Sequence, residues 1–195
     1  MKKSILIVSV LCSLWGCNPV EPVTKPADWT VSVIPSSVRI DPVTNEIIDH
    51  RFMLLRDSET RKSDLLKENL IYDGSRVSLH AARGEYISFQ LVVTNQTGKR
   101  LENIRIEIPE FAGNNSQIHI KPELFLEWAV EIKSPSTGYP EASLGNGWYP
   151  DALIPFRFIQ DDSAKVSRRW IYPLWLPDFN NRIDNQKSMI VWIDQ

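Results

Sequence analysis

Residues 86–94 read Tyr86-Ile87-Ser88-Phe89-Gln90-Leu91-Val92-Val93-Thr94, and this stretch sets the fold class. Ile87, Phe89, Leu91 and Val93 recur every second residue, while Ser88, Gln90 and Val92 occupy the alternate positions. A period of two predicts a half-buried β-strand, because successive side chains leave a pleated backbone on opposite faces. The turn-forming residues Asn95-Gln96-Thr97-Gly98 follow. Ile104, Ile106 and Ile108 then alternate with Arg105 and Glu107 until Pro109, which cannot donate to a ladder. The two segments together predict an antiparallel hairpin.

The same pattern extends in both directions. Upstream, Val31, Val33, Val38 and Ile40 flank the turn Pro35-Ser36-Ser37. Downstream, a short strand is expected at 118–120. A long one follows, in which Leu124, Leu126, Trp128, Val130 and Ile132 alternate with Phe125, Glu127, Ala129 and Glu131. Residues 134–150, rich in Gly, Pro and Ser, read as a loop, and further strands are expected at 166–176 and 189–193. Residues 57–69 are charged and hold Leu65, Leu66 and Leu70 at near-helical spacing, so they read as a loop or a short surface helix. At least seven short strands with almost no helix signal predict an all-β fold. The expected architecture is an antiparallel β-sandwich over residues 31–195, held by this chain in whole or in part.

The first residues bear on location. Lys2 and Lys3 precede the short apolar run 5–11, and Leu14-Trp15-Gly16-Cys17 closes it. Charge, short apolar segment and small residue in that order describe a secretory signal peptide. The run is shorter than the roughly 20 apolar residues a spanning helix needs. A cysteine directly after Gly16 resembles the lipobox of bacterial lipoproteins, which implies cleavage after residue 16 and a diacylated Cys17 at the new N-terminus. Trp15 departs from the lipobox, where a small residue is usual. Residues 1–16 are therefore expected to be a lipoprotein signal peptide and residues 17–30, with Pro19, Pro22 and Pro26, an extended tether. The alternative is an ordinary signal peptide with an incidental Cys17.

A composition of 43% hydrophobic and 24% charged residues is that of a globular domain. About 180 residues after the signal are enough for one real core. A net charge of −2 argues against a nucleic-acid partner, which calls for a basic face. Of the two cysteines, Cys12 lies in the signal and Cys17 is the lipid acceptor. Disulfides, thiolate metal sites and cysteine nucleophiles are accordingly not expected in the domain.

No catalytic constellation emerges. His50, His80 and His119 are scattered, the serines lack a G-x-S-x-G setting, and no phosphate-binding glycine pattern occurs. Asp161 and Asp162 are sequence neighbours in a polar loop. Glycoside hydrolysis needs two carboxyl groups facing each other across a bond. No cofactor and no metal ligand are expected. Aromatic residues do concentrate in the second half: Trp128, Trp148, Tyr149, Trp170, Tyr172 and Trp175. Flat aromatic faces stack on the C–H faces of sugar rings. Trp148 and Tyr149, between Gly145, Gly147 and Pro150, suit display on a loop, and Trp170 and Tyr172 would share a strand face. These four are the candidate carbohydrate-binding residues, whereas Trp128 and Trp175 are expected in the core.

Three segments resemble a known family. Ala82-Arg83-Gly84-Glu85-Tyr86-Ile87-Ser88-Phe89-Gln90 resembles an A-R-x-E-x-x-S-F-Q strand, and Trp148-Tyr149-Pro150-Asp151-Ala152-Leu153-Ile154-Pro155 a Y-P-D-x-L-I-P segment. Asn185-Gln186-Lys187-Ser188-Met189-Ile190-Val191-Trp192-Ile193-Asp194 resembles a closing N-Q-x-x-W-I/V-D strand. All three occur in the β-sandwich domain that precedes the catalytic barrel of glycoside hydrolase family 123 and related proteins. The resemblance covers about residues 75–195. It implies a barrel beyond Gln195 whose adjacent Asp-Glu pair acts on N-acetylgalactosamine-type linkages by substrate assistance. That pair has no counterpart here, so no catalytic residue is carried over, and whether the chain belongs to an enzyme is left open.

The expected function is a non-catalytic, membrane-anchored module of a glycoside hydrolase acting on amino-sugar glycans. Its partners would be membrane lipid through Cys17 and a polysaccharide or a C-terminal catalytic barrel. It would sit in the bacterial cell envelope, at the outer membrane, because Asn18 is not the aspartate that holds some lipoproteins at the inner one. A stand-alone carbohydrate-binding lipoprotein and a scaffold module without sugar affinity are the alternatives.

Overall fold

In a computed structural model of the chain, the described residues are 6–7, 28–51, 65–82, 84–108, 111–112, 119–134, 144–158, 174–178 and 183–195. The fold is all-β. Its centre is a five-stranded antiparallel sheet of β2 (Trp29–Pro35), β3 (Ser88–Asn95), β9 (Ser188–Asp194), β7 (Glu123–Ile132) and β8 (Gly147–Pro155), in that spatial order. Two short pairings accompany it. β1 (Leu6–Ile7) runs parallel to β4 (Ile106–Glu107), and β5 (Phe111–Ala112) is antiparallel to β6 (His119–Ile120).

Strand β3 was expected to be half-buried, with one partner in a hairpin. Instead it lies inside the sheet, between β2 and β9, and is buried on both faces. Phe89, Leu91 and Val93 enter one core with Val33, Leu126, Leu174, Leu176, Met189, Val191 and Ile193. Val92 enters a second core with Ile34, Ile40 and Ile190. The segment 104–108 belongs to the layer over the first core and donates from Ile104 N to Leu174 O. Among the described residues that layer is built from short segments and single bridges, such as Leu101 with Leu176.

The second face is roofed by the loop 36–51. Gln90, buried in the sheet, donates from Nε2 to the carbonyls of Ser36 at 2.9 Å and Val38 at 2.8 Å, which pins that loop to β3. Lys187 N and Ser188 N donate to Pro42 O, stitching the same loop to β9. Burying these backbone groups is tolerable only because each finds a partner.

Other expectations meet the structure unevenly. β7 and β9 form where alternation placed them, and β9 is internal, paired with β3 on one side and β7 on the other. The sheet begins at Trp29, so Trp29 and Thr30, the last two residues of the expected tether, belong to it. Residues 65–67 form a turn rather than a helix, and Leu70 is almost fully exposed. Trp128 and Trp175 are half-buried rather than core residues, and the Arg100 guanidinium lies 5.5 Å from the centre of the Trp175 ring. Arg83, Asp161, Asp162, and all of the expected strand 166–176 before Leu174, lie outside the described residues.

Candidate functional site: the entry to strand β8

Trp148 and Tyr149 were expected on a loop. They stand instead in the first residues of β8, an edge strand of the sheet, and both are half-buried. Trp148 is in register with Glu131 and Tyr149 with Val130. Past Pro150 the pairing slips by one residue, from Ala129–Pro150 to Trp128–Ala152, which leaves Asp151 as the extra residue of a bulge. A proline is tolerated at that place because an edge strand with a bulge needs fewer ladder donors. Asp151, Ala152 and Leu153 are exposed there.

The loop 36–51 clamps the start of this strand. Asp41, 3% exposed, accepts from Val43 N at 2.9 Å and Thr44 N at 3.2 Å, which closes a tight turn with Asn45 at φ 65°. The turn is followed by a 3-10 turn at Ile48–Arg51 that carries Arg51 back to Asp41. Arg51 Nη2 donates to Asp41 Oδ2 at 2.8 Å, and Nη1 donates to Asn146 O at 3.4 Å. Tyr149 donates its hydroxyl to Gly145 O at 2.7 Å. Arg39 and Asp49 form a more exposed ion pair on the same loop.

Gly147 is required by this clamp. Its φ of 147° is unfavourable for any side chain, and a Cβ there would lie 2.7 Å from Arg51 Nη1 and 3.1 Å from Asp41 Oδ2.

Electrostatics follow from the contacts. Burial alone would raise the Asp41 pKa, but hydrogen bonds from Arg51, Val43 and Thr44 outweigh it and hold the carboxyl below its ordinary value. Burial likewise opposes the Arg51 charge, and its bonds with Asp41 and Tyr149 more than restore it. The clamp is thus ionised on both sides at neutral pH, and it fixes Tyr149 by its hydroxyl end. Beside the clamp stand the half-buried Trp148 and the exposed Glu131 and Asp151.

A second titratable group sits on the neighbouring strand. Glu127 lines a small cavity with Pro42, Ala129, Asp178, Gln186 and Ile190, with space for about one water. Its Oε2 is buried without a hydrogen-bond partner, and burial pushes its pKa up to about 7. The alternation of β7 had placed Glu127 on the polar side of the strand, and nothing local in the sequence distinguishes it from the exposed Glu131.

Of the other candidate residues, Cys17, Trp170 and Tyr172 lie outside the described residues; Trp148 and Tyr149 are consecutive on β8 and leave it on opposite faces. Among the described residues no three His, Cys, Asp or Glu side chains converge on a metal position. None of their helices is long and apolar enough to cross a membrane.

Fold and site define an all-β protein on a five-stranded antiparallel sheet, with an aromatic edge strand clamped by a buried ion pair. No family model, no curated protein and no solved structure matches the chain.

Proposed function

We propose that this chain is a non-catalytic β-module of a glycan-processing protein, anchored through a lipid on Cys17 in a bacterial envelope. The observation that supports the reading is where the three family-like segments fall. Ser88–Gln90 of the first open β3, Trp148–Pro155 of the second lie on β8 and Ser188–Asp194 of the third form β9, so all three reach strands of one sheet. The module presents β8 as its outer edge, and the Trp148 ring and the exposed 151–153 bulge are the surface that would meet a glycan or a catalytic domain. The chemistry would reside in that other domain. The test is hydrolysis: the purified chain should release no p-nitrophenol from hexosaminide substrates, and measurable release overturns the reading.

The clamp on Tyr149 favours one alternative specifically, a free-standing carbohydrate-binding lipoprotein, because it fixes the start of β8 and with it Trp148, whose side chain leaves the strand on the opposite face, which lowers the ordering cost of stacking. In that case the intact chain is retained on an insoluble polysaccharide, and Trp148→Ala abolishes retention while the circular dichroism spectrum remains that of the folded chain. Retention that survives the substitution, or none on any glycan, rejects that alternative.

A further inference from the structure

At the opposite edge of the sheet from Trp148 lies a cleft of about 430 Å³, within the range of roughly 300–1,000 Å³ common for small-molecule sites. Its floor is explained by strand periodicity. Ile34, Ser32 and Thr30 lie on one face of β2, and Val92 and Thr94 on the same face of β3, with Thr30 opposite Thr94 and Ser32 opposite Val92. Ile34 and Val92 are sealed in the second core. One step along the strands the same face turns from apolar to hydroxylated, and Asn45 of the loop roof borders the cleft there.

The chemistry of the lining is specific. Thr30, Ser32 and Thr94 supply hydroxyls, and Gln96 and Asn45 supply amides. Gln96 is oriented by donating from Nε2 to Thr30 Oγ1 at 3.0 Å, and Thr94 Oγ1 is 2.7 Å from Ser188 Oγ. Asn45 Oδ1 is buried with no hydrogen-bond partner. Lys67 is the one charged residue of the lining, which contains no carboxylate. Tyr72, Leu66 and Val31 add apolar surface beside these polar groups. Neutral donors and acceptors next to an aromatic ring complement a ring that carries hydroxyls at its rim and C–H groups on its face.

We propose that this cleft is a second ligand site, for one or two saccharide rings, neutral or bearing one carboxylate. It is independent of the role given to Trp148. Four strand spacings separate β2 from β8, about 19 Å at about 4.8 Å each.

The test is saturation-transfer NMR and calorimetric titration of the full chain with glucose, galactose, N-acetylglucosamine, glucuronate and cellobiose. At least one should bind. Gln96 and Lys67 are exposed, so Gln96→Ala and Lys67→Ala should leave the circular dichroism melt unchanged. At least one of the two should weaken binding about tenfold, equivalent to about 1.4 kcal/mol. Trp148→Ala should leave this binding intact. Failure of the whole panel to bind overturns the proposal, as does binding that survives both cleft substitutions or is lost with Trp148→Ala. The last result would transfer the saccharide to the β8 edge and leave the reading of Trp148 standing.

Discussion

Arg51 donates to the buried carboxylate of Asp41 at 2.8 Å within the loop over the second core, and the same guanidinium donates to Asn146 O, the residue just before an edge strand almost a hundred positions later. Each partner depends on the other. Asp41 is nearly inaccessible to water and stays ionised because Arg51 and two backbone amides surround it.

Arg51→Met should therefore destabilise the fold by about 3 kcal/mol, the usual consequence of stranding a buried charge. Gly147→Ala attacks the same clamp from the other side, through backbone strain and displacement of Arg51, and should cost about 1–3 kcal/mol. Urea denaturation at neutral pH measures both. A double substitution costing markedly less than the sum would show that they act on one contact. Full additivity would contradict the clamp.

Glu127 predicts a pH dependence. Below about pH 4.5, its ordinary value, the carboxyl is protonated in both folded and unfolded chains and carries no penalty. Between about 4.5 and about 7 the folded chain holds a proton that the unfolded chain has released, so stability falls as pH rises. Above about 7 the loss is complete, on the order of 3 kcal/mol. Glu127→Gln should be close to neutral at pH 4.5 and stabilising at pH 8, as read from urea midpoints at the two pH values. Equal effects at both would show that the carboxyl titrates normally.

Gln90→Leu keeps the side-chain volume while removing the amide that holds Ser36 O and Val38 O. It should cost about 2–3 kcal/mol, since the carbonyls lose their partner beneath the roof. Amide exchange should accelerate in the loop 36–51 and not in β7. Unchanged exchange in the loop would mean that it is held by other contacts.

The sequence alone determined that these segments are strands. Alternation is a local property, so β3, β7 and β9 were legible from Phe89-Gln90-Leu91, from residues 124–132 and from 189–193, and with them the all-β class. Alternation says which residues share a face, but not what covers that face or which strand lies alongside. Ile104, Ile106 and Ile108 look like the natural hairpin partner of β3, yet β2 and β9 outcompete them because they bury Val92 and Gln90 as well as Phe89 and Leu91. Tertiary structure likewise decided that Gly147–Pro155, rich in turn formers, is an edge strand. At an edge with a bulge, proline and glycine cost little, and pairing with β7 outweighs their weak strand preference. Of the candidate site, the aromatic pair was legible as a composition signal. The Asp41–Arg51–Gly147 clamp, the burial of Glu127 and the hydroxyl-floored cleft were not, because each is made by residues that only the closed sheet and its loop bring together.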